Sequence, residues 1–344
     1  DVVRVITPGT FIEGNLEAEE NQFLVALGWE AKSFGLASLD MSTGEFMTVT
    51  LPTWASLINE LTRLKPAEIL VTSDWKEKAS LKSFASDLGF VVTEAKAKQE
   101  SLASASKSLL EHFAVTTLTA FGITSSVEIL AASLALGYVQ DTMRGVLSHI
   151  RVITSYKLEH YLQIDAHSRD NLELTKTMRD GKKAGSLLGI LDYTATGMGA
   201  RLLRSYLEKP LLDRNMIESR HDAVGTLLEK TSLRLDLHKL LDEIYDLERL
   251  LGRLVTGNGN ARDLNALAGS LQKIPAIKDL FAQEKTPLLA ALVNDLDPLI
   301  AFVELVAQAI VDEPGITLRD GNLIRDGYNA QLDKLRQARS GGKT

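Results

Sequence analysis

Residues 165–224 read DAHSRDNLELTKTMRDGKKAGSLLGILDYTATGMGARLLRSYLEKPLLDRNMIESRHDAV, and this stretch decides how the second half of the chain folds. Its apolar spacing is helical and its turns are frequent. Residues 185–191 predict a short buried helix. Residues 197–207 predict another, ended before Pro210, whose ring cannot donate a backbone hydrogen bond and disfavours helix at the residue before it. Asp213 is placed to cap a helix over 214–229 with its side-chain oxygen. Beyond it, Leu233, Leu237, Leu240 and Leu241 continue one apolar face to Ile244. Leu247, Leu250, Leu251 and Leu254 form a second stripe. Further helices are expected over 261–273, 275–283, 286–293 and 297–311, an extended or turn-like piece over 317–327, and a last helix over 328–338. No fixed-period repeat or low-complexity tract appears. The region is therefore expected to be all-α, packed ridge into groove.

Upstream the period changes. Residues 2–6 form a β-branched run closed by Thr7-Pro8-Gly9. Residues 22–29 and 33–39 read as strands joined by Glu30-Ala31-Lys32, and Ser42-Thr43-Gly44 turns the chain into a third, 45–51, with clear alternation. Residues 54–64 have helical spacing behind Thr53 as N-cap. A strand at 68–72, a helix at 76–88 capped by Ser73 or Asp74, and a strand at 89–93 follow. Helices at 97–113 and 125–143 are expected to cover the sheet. A short extended piece at 161–164 leads into the opening motif. Three meandering strands followed by right-handed crossovers give a mixed sheet, the order of the ribonuclease H-like fold, a likeness in topology alone.

Composition bounds the function. The chain has 344 residues, room for two or three domains, with 45% apolar and 24% charged residues, ordinary for a globular protein. It has no cysteine, which removes disulfides, thiolate catalysis and Cys-ligated zinc. No stretch approaches the ~20 uninterrupted apolar residues of a membrane helix. The start, Asp-Val-Val-Arg, has no signal-peptide pattern. A start without Met and an end in Ser-Gly-Gly-Lys-Thr are what an excised piece of a longer protein would show. The formal charge is −7, and its excess lies in residues 1–150, with 18 acids against 11 Lys and Arg. Without a basic surplus, strong DNA binding by this piece alone is not expected.

Candidate chemistry is sparse. The terminal Gly-Gly-Lys-Thr lacks the phosphate loop's first glycine, since position 337 is Gln337, and it reads as a solvated end. A nuclease on a ribonuclease H-like sheet needs converging carboxylates around metals, with the leading acid inside the first strand. Residues 23–28, Phe-Leu-Val-Ala-Leu-Gly, hold no acid, and Asp40 ends the second strand where a turn-forming Asp is the plain reading. His112, His149, His160, His167, His221 and His238 are scattered without helical i,i+4 pairs. Arg201, Arg204 and Lys209 read as a solvated helix face or as ligands of helix C-terminal carbonyls. Asp192, ahead of Thr194 and Thr196, reads as a helix cap. Gly197 and Gly199 flank Met198 where a helix starts close to another backbone, and Gly257 and Gly259 interrupt the pattern after Val255; punctuation and hinge points are both open readings.

The series Asp165-Ala-x-x-Arg169-x-Asn171-Leu-Glu-Leu174, then Ser186-Leu-Leu-x-x-Leu191-Asp192-x-Thr194-x-Thr196-x-Met198-Gly199, Arg201-Leu-Leu, Lys209-Pro-Leu and Glu218-x-Arg220-x-x-Ala223-Val224 resembles the start of the helical core of the MutS family of DNA mismatch repair ATPases. The likeness extends over nearly the whole chain. Val3 to Thr10 is similar to the family's link from the mismatch-binding domain into the connector. Phe34-Gly35 with Leu39-Asp40-x-Ser42-Thr43-Gly44 is similar to the connector hairpin, and Arg319-Asp320-Gly321, Gly327-Tyr328-Asn329 and Leu332-Asp333 to the approach to the clamp. The resemblance implies a link at 1–10, a ribonuclease H-like connector without nuclease activity at 11–150, and the first part of an α-helical bundle core, or lever, at 151–344, cut at the clamp. It further implies a cytoplasmic parent protein, a homodimer that encircles mismatched double-stranded DNA, uses ATP and Mg, and recruits MutL, with no membrane association.

No catalytic, nucleotide-binding, metal-binding or mismatch-reading residue carries over to these positions. A polar pair in the family's connector helix aligns near Lys107 and Ser108, the candidate contact for MutL, although the residue types differ and a solvated face is the rival reading. The function expected is coupling between mismatch recognition, ATPase and MutL recruitment, with no cofactor and no chemistry in this piece. A free-standing helical interaction scaffold with an α/β cap, a metal-dependent nuclease, and a MutS homologue lacking the mismatch reader are the alternatives.

Overall fold

The computed structural model describes residues 7–10, 18–30, 33–95, 99–143 and 147–341. The strand expected at 2–6, the Ala31-Lys32 joint, the first residues of the helix expected at 97–113 and the Gly342-Lys343-Thr344 end lie outside these. The chain forms two compact units, Asp1–Ile217 and Glu218–Thr344.

The first unit is built on a mixed sheet. Strands β1 (Phe23–Glu30), β2 (Ser33–Asp40) and β3 (Phe46–Leu51) form an antiparallel meander. Helices α1 (Trp54–Leu64) and α2 (Lys78–Leu88) carry the chain to β4 (Glu68–Val71) and β5 (Val91–Glu94), which extend the sheet parallel to β1. The order is β5-β4-β1-β2-β3-β6. The first five strands have the ribonuclease H-like arrangement anticipated from the period. The sixth, β6 (Thr154–Ser155), lies parallel on the outer edge of β3. Two residues are too few for a period to show, so this strand was not legible.

Alternate residues of a strand point to opposite faces, and here both faces are buried. Leu24, Ala26, Ala37, Leu39 and Leu70 face α3 (Leu102–Phe113) and α4 (Ser126–Met143). Val25, Leu27, Leu36, Ile69 and Val71 face α1 and α2. Double burial explains why β1 is continuously apolar; β3 alternates because Thr48 and Thr50 turn to a polar partner on α4.

Helix α4 approaches the sheet at the paired glycines Gly28 and Gly35. A Cβ on Gly35 would sit 1.9 Å from the Val127 carbonyl oxygen, and one on Gly28 2.6 Å from it. The glycines thus remove the side chains that would hold the helix away. The buried Glu128 on α4 takes hydroxyl hydrogen bonds from Thr48 (2.9 Å) and Thr50 (2.6 Å) on β3. Glu68, buried at the start of β4, accepts from Thr7 Oγ1 (2.6 Å), Gly9 N (3.0 Å), Thr93 Oγ1 (2.5 Å) and Tyr138 OH (2.8 Å). One carboxylate therefore fastens the 7–10 turn, β5 and α4 together.

Thr53 caps α1 in a reciprocal box with Ser56, as its sequence indicated. The start of α2 differs from expectation. Residues 72–75 form a turn, Trp75 N donating to Thr72 O at 3.1 Å, which buries Trp75 in the core. The helix begins only at Lys78, without a side-chain cap, and Asp74 instead accepts from Gln99 N at 3.1 Å. Helix α3 begins at Leu102, capped by Ser101.

The quoted motif follows as α5 (Ala166–Asn171), α6 (Leu187–Leu191), α7 (Gly197–Glu208) and α8 (Arg214–Glu229), the last capped by Asp213, which accepts from Met216 N at 3.0 Å. Helix α6 is not the buried helix its composition suggested. Leu188 is buried, whereas Leu187, Ile190 and Leu191 are exposed. An apolar five-residue run does not reveal how many of its faces find partners.

The second unit is helical: α9 (Thr231–Asp242), α10 (Leu247–Val255), α11 (Ala261–Leu271), α12 (Ile274–Leu280), α13 (Pro287–Asn294), α14 (Ile300–Ala309) and α15 (Ala330–Gly341). Asp246 caps α10, and Asn260 caps α11 in a reciprocal box with Asp263. Ala268, Val306, Ala309 and Ile310 form one cluster of its core. The turn-like residues expected before α15 bridge back, Ile310 pairing with Ile324.

Candidate functional site

The first unit contains a charged seam where α1 and residues 18–20 meet α5–α7. It begins on α1. Glu60 and Arg63 lie three apart on a helix whose inward stripe is Leu57, Leu61 and Leu64, so both are carried into the interior. They are 6% and 7% exposed. Arg63 Nε donates to Glu60 Oε1 at 3.0 Å, and Arg63 Nη2 and the Tyr156 hydroxyl donate to the same oxygen. Burial alone would push the Glu60 carboxyl up. The adjacent Arg63 charge and these donors outweigh burial and hold it below the usual carboxylate range. The same pairing holds Arg63 firmly protonated against its own burial, and burial beside Glu60 pushes the Tyr156 hydroxyl well up.

Glu208, at the end of α7, lies 3.7 Å from Arg63 Nη1 and 3.9 Å from Arg204 Nη1, beyond hydrogen-bonding distance. Its burial therefore wins, and its carboxyl is pushed up despite Arg63, Arg204 and Arg169 nearby. Lys209 Nζ stands 4.7 Å from the Tyr156 ring centre and 5.6 Å from that of Tyr161. Burial, reinforced by the Arg63 charge, brings Lys209 down to about 8, with Glu60 opposing.

A strap over α7 completes the seam. Arg201 Nη1 donates to Ala18 O at 2.8 Å. Arg204 Nη2 and Lys176 Nζ reach Glu20 Oε1 at 2.9 and 3.1 Å. Burial raises Glu20, but these two cations hold it below the usual range. Lys183 bonds Glu19 and, at 2.6 Å, Asp192. Backbone bonds from Leu162 N to Pro210 O (2.8 Å) and Leu212 N to His160 O (3.1 Å) stitch the two ends of the motif.

Several sequence readings change here. Arg201, Arg204 and Lys209 are neither a solvated face nor helix-end ligands. Arg201 is buried, Arg204 is paired and Lys209 is half-buried over two rings. The acid for Arg204 comes from 184 positions away, beyond the reach of any local pattern. Asp192 does not N-cap a helix; it closes the C-terminal end of α6. Its Oδ1 accepts from Thr194 N (3.0 Å) and Thr194 Oγ1 (2.6 Å), and Thr196 caps α7 through Gly199 N at 3.0 Å. The close approach at Gly199 is to these threonines: an added Cβ would lie 3.1 Å from Thr196 Oγ1. Gly257 adopts φ +77° with open space around it, and so serves as punctuation after α10.

The seam's centre, Glu60, Arg63, Tyr156 and Glu208, was missed from sequence. The available signal was a charged i,i+3 pair set against the apolar stripe of α1. Lys107 and Ser108 lie on α3. Lys107 is exposed, 3.7 Å from Glu111, and Ser108 is half-buried. Asp40 closes the β2–β3 turn by accepting from Ser42 N (2.8 Å), Ser42 Oγ (2.7 Å) and Gln22 N (3.1 Å). Among the described residues, no three His, Asp or Glu side chains gather as a metal site.

Comparison with known proteins places this geometry. The family model for MutS domain II matches residues 22–151, and that for MutS domain III matches residues 167–340. Relatives named DNA mismatch repair protein MutS include those of Symbiobacterium thermophilum (39% identical over 348 residues), Halothermothrix orenii (40% over 347) and Myxococcus xanthus (40% over 349). Each alignment covers 100% of this chain and, in turn, 40%, 38% and 39% of the relative. The chain thus spans about two fifths of the length of these curated relatives. The first five strands of the mixed sheet where domain II matches, and helices where domain III matches across half of the chain, show that the chain belongs to the MutS family of DNA mismatch repair proteins.

Proposed function

We propose that these residues are the transmission part of a mismatch repair protein. Residues 1–10 are the link, 11–150 the connector and 151–344 the first part of the lever. The observation that carries this reading is the seam from Glu60 and Arg63 to Glu208, together with the strap of residues 18–20 over α7. It ties the proposed connector to the proposed lever through buried, mutually dependent charges. Such a junction has few intermediate arrangements, because moving one charge leaves another buried and unpaired. That is the physical requirement for passing a bias between distant sites.

In this proposal the parent protein is a cytoplasmic homodimer on mismatched double-stranded DNA. ATP and Mg are held by parts of the parent outside these residues, and MutL docks on the connector near Lys107 and Ser108. The chain's own residues position and couple; they perform no bond-making step.

The test uses the full-length protein. Lys183→Met with Arg204→Met loosens the strap at half-buried positions. ATP binding should stay within roughly twofold, while the mismatch dependence of nucleotide exchange is lost. Retention of that dependence in the folded double variant would refute the coupling role.

A further inference from the structure

Among the described residues the seam leaves one positive charge without a counter-charge at bonding distance, and beside it is a cavity. Its walls include Arg63, Arg169 and Lys209 on the cationic side and Glu60 and Glu208 on the anionic side, three against two. Arg204 is occupied by Glu20, and Asp170, Glu45 and Lys65 act only at longer range. Arg169 is the group left over. It is 8% exposed, its Nη2 donates to Ile164 O at 2.9 Å, and its Nε and Nη1 have no hydrogen-bond partner among the described residues. Two buried guanidinium donors that the protein does not use call for an acceptor from outside the chain, because leaving them unmet is costly. Lys209 faces the same cavity with ring faces beneath it and, among the described residues, no carboxylate within bonding distance.

The cavity has a volume of ≈ 20 Å³. About 10–15 Å³ admits one water-sized particle, so the space suits a single small occupant. We propose that this cavity binds one chloride-sized monovalent anion, held by the Arg169 guanidinium and the Lys209 ammonium. The anion neutralises the surplus charge, satisfies the free Arg169 donors and completes the junction of α1, α5 and α7. A water molecule would accept the hydrogen bonds and leave the charge uncompensated, so the two occupants are distinguishable.

The charged and titratable groups that act on Lys209 or share its cavity are Glu60 and Arg63 from α1, Tyr156 and Tyr161 beneath it, Arg169 from α5, Glu208 from α7 and, at longer range, Glu45 just ahead of β3. Among them Lys209 is the cation that loses its charge near neutrality, at about 8. The anion therefore binds the protonated form, and its affinity falls as pH rises through that value.

The test follows the ³⁵Cl NMR line width with the whole chain. At pH 7 the chain should give a saturable excess broadening that bromide displaces and gluconate does not. Raising the pH to about 9.5 should reduce it roughly tenfold or more, as the Lys209 proton is lost. Lys209→Met and Arg169→Met should each abolish it. Should Arg169→Met fail to fold, Lys209→Met decides, since it removes one of the two cations that hold the anion while keeping an apolar stem on the rings. Broadening that is unsaturable, insensitive to pH, or unchanged in Lys209→Met would overturn the assignment and leave water as the occupant.

Discussion

Arg63→Met tests the seam at its centre. In the folded chain Arg63 supplies Glu60 with the opposite charge and two of its donors; the remaining donor is the Tyr156 hydroxyl. Methionine keeps most of the side-chain volume, so packing changes little and the electrostatic loss is isolated. What remains is a carboxylate, 6% exposed, with a single hydrogen bond. Removing one partner of a buried ion pair costs about 3–5 kcal/mol, against about 0–1 kcal/mol for an exposed pair. In a domain of ordinary stability, about 5–15 kcal/mol, that is a large share. The assay is urea unfolding followed by tryptophan fluorescence. The chain's three tryptophans, Trp29, Trp54 and Trp75, all lie in the first unit, so the signal reports this unit.

The pH dependence gives a second readout. Without Arg63, burial should raise the Glu60 pKa above its unfolded value. A carboxyl raised in the folded state destabilises at pH above that pKa and ceases to do so once protonated. The deficit of Arg63→Met should therefore be full at pH 7 and shrink as pH falls toward 5. The double variant Glu60→Met with Arg63→Met should recover much of the loss, short of about 1–3 kcal/mol for the stranded Tyr156 hydroxyl. A cost under about 1 kcal/mol at pH 7, or a deficit that does not change with pH, would refute the reasoning.

Gly35→Ala should destabilise by about 3 kcal/mol in the same assay, because the new methyl meets the Val127 carbonyl and forces α4 off the sheet. Gly137→Ala, in the same helix with nothing within 4 Å, should instead gain up to about 1 kcal/mol. The Lys209 pKa is depressed in the folded state, so the unfolded chain binds the extra proton above pH 8, and stability should rise from pH 8 toward 10 by up to about 3 kcal/mol. Lys209→Met should flatten that rise in urea midpoints measured across the window, and a persistent rise would assign it to another group.

Much of the framework was legible because its causes are local. The β2–β3 hairpin followed from a Ser-Thr-Gly turn between alternating runs, α1 from a threonine cap and a 3.6-residue stripe, and α8 from Asp213. The order of three strands, helix, strand, helix, strand was enough to select the strand order, since crossovers between parallel strands have one preferred hand. The motif of residues 165–224 carried the family. Local reading failed where a residue's role depends on what packs over it. Asp74 looked like a cap until Trp75 took the turn into the core, and α6 looked buried because apolar composition does not count partners.

The seam belongs to the tertiary structure alone. Arg63 and Tyr156 are separated by 93 positions, Arg201 and Ala18 by 183, and Arg204 and Glu20 by 184. Arg63, Arg201 and Arg204, each read in its own helix, look like ordinary surface charges. Periodicity reports which way a residue points; only the packed chain decides whether water, an opposite charge or nothing stands there, and inside a low-dielectric interior that difference sets both stability and pKa.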